Sequence, residues 1–321
     1  MQDYYMISTV SYFKVDDLDL IDKQMLIALD NNCRLSYQAL AENFGITATA
    51  VRKRFDRLVT TGVIEEFSIV LKPAMMGSEY LIALIYTDGL EDEEELIQTI
   101  GSNLNIIQVG QLVTGVGRLY FAHCEYIGAE GLHNLGVFLR TLENVTDIEL
   151  HTTLVQRGRI FEIKKLHLRV LRCLLEDARM QVSDISERTG LAARRVSRAI
   201  QELIDSDAFW FATRWNLSLG GNTEFYLKIM HNGQVGVKEE IDDWLRKEFS
   251  LEYWYSYFSA MEPILFAKFV TDHFRNAEKI SRIVKNNPHS ASVDVLLSYP
   301  VTKFPRLGRT KLIMMLDDAG V

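Results

Sequence analysis

The feature that most constrains this chain is that it repeats itself at one fixed offset. Adding 145 takes Leu26 to Leu171, Leu29 to Leu174, Arg34 to Arg179, Glu42 to Glu187, Gly45 to Gly190, Ala48 to Ala193, Val51 to Val196 and Leu58 to Leu203. The offset continues downstream: EYLIALIYTDG at 79–89 lies against EFYLKIMHNGQ at 224–234, and RLYFAHCEY at 118–126 against PILFAKFVT at 263–271. A period this long is not that of a solenoid and implies two copies of one multi-element unit. Each half holds a helical head and an α/β tail.

In the first head, LDLIDKQMLIALDNN has helical apolar spacing at Leu18, Ile21, Met25, Leu26 and Leu29. Ser36 then opens a helix that Gly45 closes, a position that favours positive φ. The stretch TATAVRKRFDRL at 47–58 forms a further helix, ended by Gly62, and VIEEFSIVLK reads as a strand. This is the order of a winged helix-turn-helix, whose second helix enters the DNA major groove. Ala48, Val51, Phe55 and Leu58 fall on one stripe. The free face and its shoulders carry Thr49, Arg52, Lys53, Arg54 and Arg57, with Thr47 at the start. In the second head AARRVSRAIQEL has the same apolar stripe beneath a different set of cations, Arg194, Arg195 and Arg198. These nine polar residues are the expected DNA contacts, with Thr49, Lys53, Arg57, Arg194 and Arg198 as base readers. A solvated helix with i,i+4 pairs such as Arg52–Asp56 is the alternative. The basic residues concentrate on a chain of net charge −8, and 164–198 forms a basic island that includes Arg179. Asp207 stands at the position of Gly62, which predicts a second wing of different shape.

From Glu79 the elements run strand, helix, strand, strand, helix, strand, and from Glu224 they do so again. βαββαβ is the ferredoxin-like sandwich, which covers one sheet face with helices and leaves the other for a partner. The fold class is therefore α+β, with two winged helix-turn-helix domains (16–66 and 161–211) alternating with two ferredoxin-like domains (67–158 and 212–305). The open faces predict a homodimer or an intramolecular pseudo-dimer. The acidic run Glu91–Glu95 reads as a helix start rather than a metal cluster.

Cys33, Cys124 and Cys173 form no metal-binding spacing and imply neither zinc nor disulfides. The N-terminal segment lacks the basic region of a signal peptide, and no apolar run is long enough to span a bilayer. A cytoplasmic location is expected, with no cofactor, metal or membrane partner.

On LDLIDKQMLIAL, on NCRLSYQALAENFGITATAVRKRFDRLVTTGVIEEF and on the order of the tail elements, the first half resembles the leucine-responsive regulatory protein (Lrp/AsnC) family. The second half resembles it more distantly. The resemblance implies a tandem, sequence-specific transcription regulator that binds double-stranded DNA through its heads and dimerises through its tails. It also implies a small effector, often an amino acid, held near a turn carrying Gly and then Asp. Here that turn is LVTGVGRLYF, so Gly115 and Gly117 are present and Arg118 stands near the acidic position. The rival class is an enzyme: siroheme decarboxylases share the two-domain fold and use His and Arg residues, with His123, His151 and His167 as candidates. His123, in a strand, is read as exposed.

Overall fold

The computed structural model describes residues 18–113, 118–217 and 222–320. The first head consists of α1 (Leu20–Asn31), α2 (Tyr37–Phe44), α3 (Ala48–Thr60) and the wing strand β1 (Ile64–Leu71). Each boundary has a local cause. Asp19 caps α1, accepting the Asp22 amide at 2.9 Å. Ser36 caps α2 and Thr47 caps α3, by accepting the Ala39 and Ala50 amides. Gly45 ends α2 at φ +66°. The first tail follows as β2 (Ser78–Thr87), α4 (Glu93–Gly101), β3 (Ile106–Val113), β4 (Arg118–Ile127), α5 (Gly128–Arg140) and β5 (Val145–Thr153). Asp92 caps α4, whose first turn holds Glu93, Glu94 and Glu95. The acidic run is therefore a helix start.

The second head repeats the order with α6 (Lys165–Glu176), α7 (Val182–Thr189), α8 (Ala193–Asp205) and β6 (Phe209–Trp215). The second tail comprises β7 (Thr223–His231), α9 (Val237–Glu248), β8 (Tyr253–Phe258), β9 (Ile264–Thr271), α10 (Phe274–Lys285) and β10 (Ser290–Ser298). A short β11 (Thr302–Lys303) and a C-terminal α11 (Leu307–Asp318) complete the chain. α11 buries Leu312 and Leu316 in the core of the second head.

Each tail has the ferredoxin strand order, β5-β2-β4-β3 and β10-β7-β9-β8. The helices cover one face of each sheet. The other faces meet each other, with Ile82, Leu84, Leu119 and Phe121 packed on Tyr226, Ile264, Phe266 and Leu296. Phe121 and Tyr226 stack at 4.7 Å between centroids. The edges join as well. Val113 and Leu112 pair with Leu297 and Ser298 at one side, and Thr153 bridges Ser259 at the other. The tails thus close on one another as a pseudo-dimer within one chain, which covers apolar faces and strand edges together.

The repeat is not in register throughout. In the first tail Ile82 pairs with His123, and in the second Tyr226 pairs with Lys268. His123 and Lys268 differ by 145, but Ile82 and Tyr226 differ by only 144. One residue is missing ahead of β7, so the alignment of 79–89 with 224–234 slips by one. Because strand side chains alternate, an offset of 145 would have matched inward residues with outward ones.

The heads are also joined. The expected wings do not stand apart: β1 and β6 form one antiparallel ladder running from Ile64↔Trp215 to Leu71↔Phe209. Asp207 adopts φ +55° where Gly62 has +78°, so the second wing starts through the same kind of turn as the first. Asp tolerates this region better than most residues, and its carboxylate pairs with Lys72.

Candidate nucleic-acid interface

On α3, Val51, Phe55 and Leu58 are buried against the first head's core. That leaves Thr49, Arg52 and Lys53 exposed on the outer face. Arg52 lies 3.7 Å from Asp56, and both side chains are mostly solvated. Such i,i+4 pairs contribute only a few tenths of a kcal/mol and leave the cation free to exchange partners. Thr47 is occupied as the helix cap, accepting the Ala50 amide at 3.2 Å.

Arg54 and Arg57 point elsewhere. Both reach back to α1, where the fully buried carboxylate of Asp22 accepts Arg54 Nη1 at 2.8 Å and also pairs with Arg57. Arg54 makes a second bond to Asp19 at 2.7 Å. Two of the four cations that drew attention to this helix therefore fasten it to α1. Periodicity alone does not reveal this, because the acid lies 32 and 35 residues away.

The second head uses the same fastening with reversed polarity. The offset maps Asp22 to His167 and Arg57 to Glu202, and His167 Nε2 lies 2.9 Å from the Glu202 carboxylate. The Lys164 amide donates to His167 Nδ1 as the Asp19 amide donates to Asp22. His167, a candidate in the enzyme reading, is thus part of the joint between α6 and α8. Arg194, Arg195 and Arg198 are exposed on the outer face of α8, with Arg198 in an i,i+4 bond to Glu202 at 2.9 Å.

Arg34 and Arg179, identical in the repeat, hold the heads together. Arg34 Nη1 donates to the carbonyls of Ala178 and Met180 at 2.6 and 3.1 Å. Arg179 donates reciprocally to those of Cys33 and Leu35, residues at the same offset. Reciprocal contacts of this kind are the mark of a two-fold joint. The Arg179 guanidinium also lies 4.8 Å from the Phe55 ring centroid. Arg179 therefore belongs to the joint rather than to a DNA-facing surface. Others of the basic island are engaged too, Arg188 with Glu176 and Arg172 with Asp317.

Among the residues read as an effector site, Arg118 donates to the Glu91 carbonyl at 3.0 Å and lies 3.8 Å from its carboxylate. Gly115 and Gly117 lie outside the described residues. His123 is buried, contrary to its reading as an exposed strand residue. It sits between Tyr80 and Tyr257, and burial, with Arg306 adding to the effect, pushes its pKa down to about 3. His151 occupies the same row of the inner sheet face, since both histidines pair laterally with Ile82. It lies between the carboxylates of Glu149 and Glu262, at 3.2 and 2.6 Å.

Residues 18–59 match the AsnC-type helix-turn-helix domain, and residues 163–207 match a winged helix-turn-helix DNA-binding domain. An uncharacterised HTH-type transcriptional regulator of Pyrococcus horikoshii is 30% identical over 151 residues, which are 46% of this chain and 97% of that protein. A second from the same organism is 34% identical over 112 residues, 35% of this chain and 70% of the relative. The chain belongs to the Lrp/AsnC family of helix-turn-helix transcriptional regulators, as a tandem member with two heads. Among solved structures, the siroheme decarboxylase NirDL, crystallised with an iron-uroporphyrin III analogue, shares the fold across 94% of this chain and 100% of its own. The TM-score is 0.57 and the identity 12%.

Proposed function

We propose that a single chain is a complete, sequence-specific DNA-binding regulator that acts as its own dimer. The observation that carries this is the reciprocal Arg34/Arg179 joint, which pairs two heads whose second helices expose cations on an otherwise acidic protein. Arg52 and Lys53 of α3 and Arg194, Arg195 and Arg198 of α8 face the duplex, with Thr49 reading base edges and Thr47 holding the helix start. Arg54 and Arg57 act through Asp22 by fixing the pose of α3. Because the two faces carry different side chains, the preferred site is an imperfect palindrome. Cytoplasmic location and a non-enzymatic role follow from this reading.

The test is fluorescence anisotropy on genome-selected DNA across a salt series, combined with the mass of the complex. One chain per site and a log–log slope of several units are expected, at about −0.9 per phosphate contacted. A flat salt response refutes groove binding, and two chains per site refute the self-dimer.

The fold shared with NirDL and the His123/His151 row favour one second reading, a tetrapyrrole-processing enzyme. Spectral titration with iron-uroporphyrin decides it: a saturable Soret shift in a protein without DNA affinity would replace the regulator reading.

A further inference from the structure

On a chain of net charge −8, α10 carries Arg275, Lys279, Arg282 and Lys285 against a single acid, Glu278. The other tail helices are neutral or acidic: α5 has Glu130 and Arg140, α4 has no cation, and α9 has five acids against three cations. All four cations of α10 are exposed. Several exposed helix cations elsewhere take a carboxylate four residues away, as in Arg52–Asp56, Arg198–Glu202 and Arg246–Asp242. On α10 Arg282 does so, with Glu278 at 2.8 Å. Among the described residues no carboxylate lies within ion-pair distance of Arg275, Lys279 or Lys285, as is also the case for Lys53, Arg194 and Arg195 of the DNA-facing helices. Lys279 lies four residues after Arg275, and Arg282 three after Lys279, so like charges stand one above another. Such stacking destabilises a helix. The row is therefore a cost to the fold with no structural return.

The repeat separates packing from charge here. α5 sets its buried stripe in the same frame, with Leu135 and Leu139 at the positions of Ile280 and Val284, 145 residues earlier. Where α10 has Arg275, Lys279 and Arg282, α5 has Glu130, Asn134 and Val137. The cationic face thus belongs to one copy alone, and that copy packs against the first head. Trp254 and Val270 of the second tail enter the first head's core, and Lys23 of α1 donates to the Ser250 carbonyl at 2.7 Å. α10 starts at this junction, where Asn276 lines a cavity together with Leu18 and Lys23. Arg275, Lys279 and Arg282 then line a shallow groove along the helix. The acids beside them are engaged, Asp272 with Asn276 at 2.6 Å and Glu278 with Arg282.

We propose that α10 is a further DNA-contacting surface, holding phosphates of the duplex beyond the half-site bound by the first head, and that α5 gives the second head no such support. This rests on the DNA-binding reading. The row from Arg275 to Arg282 covers about 10 Å of helix, the length over which one DNA strand presents about three phosphates. Contacts of this kind add affinity without reading sequence. The place beside a head, and cations left unpaired as on α3 and α8, favour duplex DNA over an acidic protein surface.

Anisotropy of the full chain on three selected duplexes tests this: a core cut to the two half-sites, and the core extended by about one helical turn at either end. One extension and not the other should raise affinity, and should steepen the log–log salt slope by about 1.8, the yield of two phosphates. That is about a twelvefold larger loss of affinity between 50 and 200 mM salt. In the double variant Arg275→Gln/Lys279→Gln the gain should vanish, with core binding unchanged and the urea midpoint at or above that of the wild type. A gain from both extensions or from neither, or one that survives in the variant, overturns the proposal. A lowered midpoint in the variant also overturns it, because the cations are then structural. Core binding without a flank effect leaves the regulator reading standing, whereas failure to bind any of the duplexes removes both. Self-association that the variant abolishes, without a flank effect, assigns α10 to a second copy of the chain and overturns the DNA assignment.

Discussion

The contrast between Lys53 and Arg57 separates readers from fasteners on one helix. Both are cations on α3, four residues apart, and sequence alone assigns both to DNA. In the structure Lys53 is exposed, whereas Arg57 bonds to a carboxylate whose side chain is 1% exposed. Lys53→Ala should therefore leave stability within about 0.5 kcal/mol. It should flatten the salt slope by about 0.9, the yield of one phosphate contact. Between 50 and 200 mM salt that is about a 3.5-fold smaller loss of affinity. Arg57→Ala removes one charge-assisted bond from Asp22, which retains Arg54 at 2.8 Å and the Asp19 amide at 3.2 Å. The cost should be about 1.5–3 kcal/mol of stability, with the salt slope unchanged. Urea denaturation and salt-dependent anisotropy on both variants are the assays. Equal flattening of the slope by both substitutions, with Arg57→Ala unfolding like the wild type, would refute the division of roles.

The remaining predictions concern the joints between the halves. Phe121→Ala, at the stack with Tyr226 where the tails meet, should lose about 3–5 kcal/mol. Its urea midpoint should not depend on protein concentration, because both faces belong to one chain. A midpoint that rises with concentration would place the partner face on another molecule. Gly308→Ala would set a Cβ 2.6 Å from the Leu71 carbonyl oxygen, so α11 should lift from β1 and proteolysis within 307–320 should accelerate. His123 is buried neutral, with its pKa lowered to about 3. The unfolded chain therefore binds the proton first, and stability should fall as pH drops from about 6.5 towards 3. A His123→Asn variant should lack that component of the pH profile when the two proteins are compared by urea denaturation. Glu149 is the opposite case. Burial raises its pKa, but bonds from Lys228, Tyr86 and His151 outweigh this and bring it down to about 2. Its contribution is present above about pH 4.5 and lost on acidification towards 2, so Glu149→Gln and wild type should converge in stability across that window.

Local pattern made the elements legible. The stripe of Val51, Phe55 and Leu58, the caps at Ser36 and Thr47 and the positive-φ Gly45 are all contained within a few residues, and each is found in the structure. The βαββαβ order of both tails was readable for the same reason. The candidate interface was only partly legible. Exposure of Arg52, Lys53, Arg194, Arg195 and Arg198 follows from helical phase, but the engagement of Arg54, Arg57 and Arg179 depends on partners brought close only by folding.

By itself the sequence determined that the chain is two copies of one head-and-tail unit, that each head presents a basic helix, and that each tail leaves a sheet face uncovered. A repeat does not say whether two like surfaces meet within one chain or between two, since the contact is the same in either case. Tertiary structure decided that they meet within one chain, at the β1–β6 ladder and the closed tail sheets. It also decided what the repeat at 145 conceals: the one-residue slip ahead of β7 and the reversal of Asp22–Arg57 into His167–Glu202. Each depends on which side chains face each other across distant segments, and local periodicity carries no record of that.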